Sequence, residues 1–474
     1  MQKEKLSLQF LITIALLGTC ILSFNPYFQP LDAVKMYDYK RLFLYFIIVI
    51  TCLTLLLSSS TRRHVIQVYV ELSALTKSLL LAMLLFSIIA NISALYPFRS
   101  VIDFLSFIAL FLMTATLTRN LFQYKSSVFE YFSFILVLLF ASVLVGHYLA
   151  IKIDLSPSNR SILSFVNPRM MNQVQVWLTL PVFYLSIVNR SNRKKLLSAI
   201  ATIMSFSLIF ALDARGVAIA IVSGIILWAC FDKVLRQKIL KRLFSFLLIG
   251  YLIKLLFLAP IPEFLYTGAF FELKPDIRLD SPGRFAMWRD ALQLLSFWGY
   301  GGDGYVCNAY PVANGPHNSF ILLWFNWGFG TALSYLMLLF TALFVVYRAP
   351  IRLVRINGIS VLTGFAYSLV SQVITTPLSQ LFGCISIALF WSTYRHYYPR
   401  KAFKANPTLM AKIILFSAII ASMLAVIYRS HDRITNNFHL DSPPPLGEKY
   451  KPQTWLSNNC PDETAYLRLT SQEK

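Results

Sequence analysis

Uncharged apolar runs of roughly 20 residues, the length that crosses a bilayer, recur along almost the whole chain. In lipid, every backbone N–H and C=O must find its partner inside the protein, which leaves helices or a closed barrel. Runs this long and unbroken read as helices. Hydrophobic residues make up 57% of the 474 and charged residues only 14%, with a mean hydropathy of +0.61. A water-soluble chain of this length would need far more charge to cover its surface. The sequence therefore predicts an all-α polytopic membrane protein.

The net charge of +22 does not point to nucleic acid, because of where the charge lies. Basic residues gather in short connections on alternate sides: Arg62-Arg63-His64, Arg119 with Lys125, residues 190–195, 233–242, 348–355 and 395–404. That alternation is the orientation bias of bacterial-type inner-membrane proteins, with the basic loops in the cytoplasm. Lys3 and Lys5 precede the first apolar run, and no small-residue cleavage site follows it, so it reads as a span with a cytoplasmic N-terminus. The pattern predicts about 12–13 spans, with a transmembrane domain over about residues 1–430 and a polar outer tail over about 431–474. Residues 261–317 form the one long loop, on the outer side, and an unbroken helix is expected to follow it from about 318 to 347. Membrane lipids are the implied surroundings.

The outer loop concentrates what could do chemistry, since loops beside a rigid scaffold are where reactive groups collect. It holds Ser281-Pro282-Gly283-Arg284, a helical run to Trp298, the glycines Gly299, Gly301, Gly302 and Gly304, and Pro316-His317-Asn318. Ser281 suits an N-cap and Pro282 a first helical position. Phe285, Trp288, Leu292 and Leu295 recur at helical spacing, which predicts an amphipathic helix along the outer bilayer surface. Arg284 would sit in its first turn, either reaching lipid headgroups or, with the free N–H groups, facing a bound anion. Arg215 lies beside Asp213 and Gly216 at another outer turn, either as an interfacial arginine or as a second phosphate clamp. His317, near a helix start, would have a lowered pKa and a neutral ring. The glycines follow no strand, which excludes a nucleotide fold. They are expected to turn the backbone closely around a substrate, with Asp303 at the tip. No His, Cys, Asp or Glu set has metal-ligand spacing, and no cofactor is implied.

Together, Arg215-Gly216, Ser281-Pro282-Gly283-Arg284 with Trp288, the Gly-x-Gly-Gly-x-Gly stretch and Pro316-His317-Asn318 resemble the O-antigen ligase and polymerase superfamily. Asn167-Pro168-Arg169 and Pro181 are similar to the family's middle region. The resemblance covers about residues 160–345 and rests on order, spacing and side as well as residue type. It implies a GT-C-like membrane glycosyltransferase, metal-independent and inverting. An undecaprenyl-diphosphate-linked glycan would be the donor, held by Arg215 and Arg284, with His317 at the acceptor hydroxyl. Lipid A-core is the favoured acceptor, with a protein such as a pilin or another lipid-linked repeat as alternatives. A lipid-linked-sugar flippase is the competing class. Arg169, Arg160, Asp303 and Asn318 are the further substrate-binding candidates. Cys307 and Cys460 fall in outer segments, where an oxidising compartment would pair them.

Overall fold

The computed structural model describes residues 2–24, 33–152, 165, 168–268, 282–302, 304–308, 315–399 and 408–437. Among these residues every regular element is a helix, as the apolar runs predict. Nine helices are long and apolar enough to cross a membrane, again among the described residues.

The first half of the chain contributes α1 (Gln2–Ser23), α2 (Ala33–Leu57), α3 (Ser59–Val70), α4 (Ala74–Ile92), α5 (Pro97–Leu117), α6 (Lys125–Lys152), α7 (Pro168–Val188), α8 (Asn192–Ala211), α9 (Arg215–Phe231) and α10 (Arg236–Phe257). Short helices α11 (Ile261–Thr267), α12 (Pro282–Gln293), α13 (Gly304–Asn308) and α14 (Ser319–Trp327) follow. The bundle closes with α15 (Phe329–Arg348), α16 (Arg352–Ser368), α17 (Pro377–Tyr397) and α18 (Leu409–Asn437). Arg62-Arg63-His64, expected as a turn, is helical within α3.

Ion pairs sort the helix ends into two layers. In the basic layer, Arg395 at the end of α17 meets Glu71 after α3 at 2.6 Å. Arg352 at the start of α16 meets Asp232 after α9 at 2.7 Å. Lys194 on α8 pairs with Glu130 on α6, and Arg119 donates to Thr61 at 2.8 Å. In the opposite layer, Arg433 of α18 grips Asp38 of α2 with bonds of 3.0–3.1 Å. There too, the Ser100 hydroxyl of α5 accepts from the Gly302 N–H at 2.6 Å. The four end-to-end helices outside the long apolar set, α1, α9, α16 and α17, complete the alternation between layers. α9 and α16 stand outside the nine because they have 17 residues each.

One continuous core, with Trp177, Phe183 and Trp228 fully enclosed, holds the bundle together. The outer-layer helices have a small core of their own: Ala291, Tyr305, Ile321 and Phe325, flanked by Trp288, Leu295 and Tyr300. The helix expected from about 318 to 347 is broken at Gly328, whose φ is +82°. A Cβ there would come within 2.7 Å of the Trp298 carbonyl oxygen, so only glycine permits the close crossing. The helical run expected to reach Trp298 ends at Gln293. Its predicted apolar face also splits, with Phe285 and Leu292 exposed and Trp288 packed inward with Ala291. The last helix runs through Asn437, so the expected tail loses its first residues to α18.

Candidate functional site

Four of the candidate residues stand at the N-terminal ends of helices. Arg169 is the second residue of α7, Arg215 the first of α9 and Arg284 the third of α12, while His317 immediately precedes the N-cap of α14. Unbonded N–H groups there carry partial positive charge, which favours an anion and opposes a cation. Arginines at such ends are favoured where negative charge is held nearby.

The fold brings Arg169, Arg284 and His317 into one electrostatic cluster. Burial pushes the His317 imidazole down to about 4, and the positive charges of Arg169 and Arg284 add to that effect. Burial, then Arg169, pulls the Arg284 guanidinium below its ordinary value. Burial and the two guanidinium charges, rather than the helix start, thus favour the neutral imidazole at physiological pH. The Nδ1 of His317 and the Nε of Arg284 are both buried without a hydrogen-bond partner in the protein. Buried polar atoms of this kind are rare and call for an explanation. Here they are a guanidinium N–H and a ring nitrogen on two residues within electrostatic reach of each other.

Backbone geometry singles out the same place. The two non-glycine residues with positive φ among the described residues are Asp213, at +48°, and His317, at +51°. Such conformations cost about 1–3 kcal/mol and persist where the surroundings impose them. Trp288 of α12 donates its indole N–H to the Pro316 carbonyl at 2.6 Å, tying the Arg284 helix to the histidine loop. Asn318 serves as N-cap, its side-chain oxygen accepting from the N–H groups of Phe320 and Ile321 at 2.9 and 3.1 Å. That oxygen is engaged in α14.

The turn that carries Arg215 packs against the cluster through Gly216. Tyr367 near the end of α16 lies within electrostatic reach of Arg284 and Arg169, and its ring edge is 3.0 Å from where a Cβ on Gly216 would sit. Arg215 itself forms a two-point pair with Asp213, at 3.1 Å from Nε and 3.0 Å from Nη2. The glycine stretch, expected to wrap a substrate, is instead filled by protein. The Tyr300 and Gly301 N–H groups donate to the Phe325 and Asn326 carbonyls at 3.0 and 2.7 Å. Gly301, at φ +85°, leaves no room for a side chain, since a Cβ would meet Ser100 Oγ at 2.4 Å. The stretch packs between α5 and the α14–α15 break.

Arg160, Asp303 and Cys460 lie outside the described residues, as do Ser281 and Asn167. Cys307 of α13 is disulfide-bonded, whereas Cys20, Cys52, Cys230 and Cys384 are free thiols. Among the described residues, no group of three or more His, Cys, Asp or Glu is placed to hold a metal ion. Tyr367 was not legible as a site residue; the available signal was a polar ring within an apolar span, together with the polar residues Gln173 and Ser371. No model of a known protein family matches the chain, and neither does any curated protein.

Proposed function

We propose that this protein is an O-antigen ligase-like glycosyltransferase of the bacterial inner membrane, with its basic layer in the cytoplasm and its site on the periplasmic face. It transfers a glycan from an undecaprenyl diphosphate carrier to an acceptor hydroxyl, with lipid A-core as the favoured acceptor. The observation that carries this reading is the convergence of Arg169, Arg284 and a neutral His317, with a guanidinium N–H and an imidazole nitrogen both without protein partners. The resemblance of the surrounding motifs to the ligase superfamily supplies the substrate class.

In this mechanism the diphosphate lies against Arg284, whose planar fork offers two parallel hydrogen bonds to phosphate oxygens, and against the charge of Arg215, whose Nε–Nη2 edge is held by Asp213. The anomeric carbon–oxygen bond to the diphosphate breaks as the acceptor oxygen attacks from the opposite face. Negative charge builds on the leaving oxygen, where pre-placed arginines and helix N-termini stabilise it without reorganising. The neutral imidazole of His317 takes the acceptor proton. Polyprenyl diphosphate leaves and the glycan remains on the acceptor with inverted configuration.

The test is purified protein in vesicles with an undecaprenyl-diphosphate-linked glycan and lipid A-core, following product and released undecaprenyl diphosphate. Transfer is expected, whereas a flippase would release none of the carrier. Arg284→Ala and His317→Ala should each lower the rate by about 100-fold or more. Arg284→Lys should fail comparably, because a point charge cannot reproduce the fork. Near-normal transfer by Arg284→Ala at equal protein abundance overturns the assignment.

A further inference from the structure

A buried polar chain runs behind the arginine cluster, and Gln173 is its centre. Gln173 is 3% exposed and lies on α7 four residues after Arg169, so both share one face of that helix. Its amide nitrogen donates to Ser371 Oγ at 2.8 Å, and its amide oxygen accepts from Thr376 Oγ1 at 2.7 Å. Both hydroxyls belong to the connection between α16 and α17. Ser371 is in turn hydrogen-bonded to Tyr367, the ring that backs Gly216 and stands beside Arg284 and Arg169. A second tether fixes the same connection from α2, where Arg41 donates to the Thr375 carbonyl and to Gln380.

This chain differs from several other buried amides of the bundle. Asn172, Gln175 and Asn357 each leave their side-chain oxygen without a hydrogen-bond partner, whereas Gln173, like Gln380 and Asn326, is engaged at both ends. A carboxamide donates at one atom and accepts at the other, and here each end meets a hydroxyl on the same short segment. Buried networks satisfied in this way hold one geometry, because every alternative strands a polar group.

We infer that Gln173 is a positioning residue for the anion site. By clamping Ser371 and Thr376 it fixes Tyr367, and through that ring sets the spacing between the Arg215 turn, Arg284 and Arg169. The inference rests on the proposed diphosphate site and adds a residue that makes no contact with the ligand. A misplacement of about 1 Å in such a site costs on the order of 100-fold in rate.

The experiment measures farnesyl diphosphate binding to the full-length protein in nanodiscs by calorimetry, alongside kcat/KM for the lipid-linked donor. Gln173→Leu and Ser371→Ala are each expected to weaken farnesyl diphosphate binding about tenfold, with kcat/KM falling at least as far. The double variant should be no worse than the more severe single one, since both break the same chain. Gln175→Leu is the control. It removes a buried amide from the same helix that donates to Ser205 on α8, and it should leave affinity unchanged. Equal losses for Gln173→Leu and Gln175→Leu would reduce the role to general stability and overturn the inference. So would wild-type affinity in a folded Gln173→Leu. If the wild type neither binds farnesyl diphosphate nor transfers glycan, the proposed function fails and the inference falls with it.

Discussion

At the scale of single residues, His317 shows how placement decides chemistry. An exposed imidazole titrates near 6.5, but burial and two neighbouring guanidinium groups hold this one at about 4. Its folded pKa is depressed below the unfolded value, so the neutral form is the one compatible with the fold. The stability tied to it is complete above pH 6.5 and is lost as pH falls toward 4. If His317 is the base, the acid limb of kcat/KM should fall between about pH 4 and 5, not near 6.5. A bound diphosphate would favour the imidazolium, so the limb in kcat should lie above the limb in kcat/KM. A pH–rate series on the vesicle assay checks both, and a kcat/KM midpoint at 6.5 would mean that His317 is not the titrating base.

At the scale of elements, the break between α14 and α15 holds the outer layer in place. Gly328 N–H closes α14 by donating to the Trp324 carbonyl at 2.9 Å, and the next N–H, from Phe329, donates to the Phe297 carbonyl at 2.9 Å. The chain thus leaves one helix, touches the segment after α12 and starts another. Gly328→Ala would combine a left-handed backbone with a Cβ within 2.7 Å of the Trp298 carbonyl. A loss of about 1–3 kcal/mol is expected. Thermal unfolding should show it as a lower midpoint, with transfer lowered further because Asn318 and His317 lead directly into α14. Unchanged stability and activity would show that this crossing is not needed.

At the scale of the whole molecule, two layers of ion pairs divide the helix ends, and the division predicts topology. Asp38–Arg433 puts the end of α18 in the layer of Ser100 and Gly302, away from Glu130–Lys194 and Asp232–Arg352. Reporter fusions within residues 190–195 and after Lys474 should therefore report opposite sides, the first cytoplasmic. Reporters on the same side would contradict the alternation. The Asp38–Arg433 pair is itself nearly sealed from solvent, at 2% and 3% side-chain exposure. Charges so deep within a membrane bundle persist only when paired.

Apolar runs determined the helical class and the approximate spans, because lipid imposes those rules on local sequence. Arg169, Arg284 and His317 were legible as candidates from motif order. Their mutual electrostatic effects depend on helix ends far apart in the chain, and those meet only once the bundle is packed. The same reason hid Gln173, whose bonds to Ser371 and Thr376 span about 200 residues of sequence. The glycine stretch misled in the opposite direction. In sequence it looks like a flexible cradle, but the crossing of Trp298 over Gly328 and of Gly301 over Ser100 fills that space with protein. Periodicity reports which face of a segment is apolar; tertiary packing alone decided which segments cross, and therefore which polar groups were left to face one another.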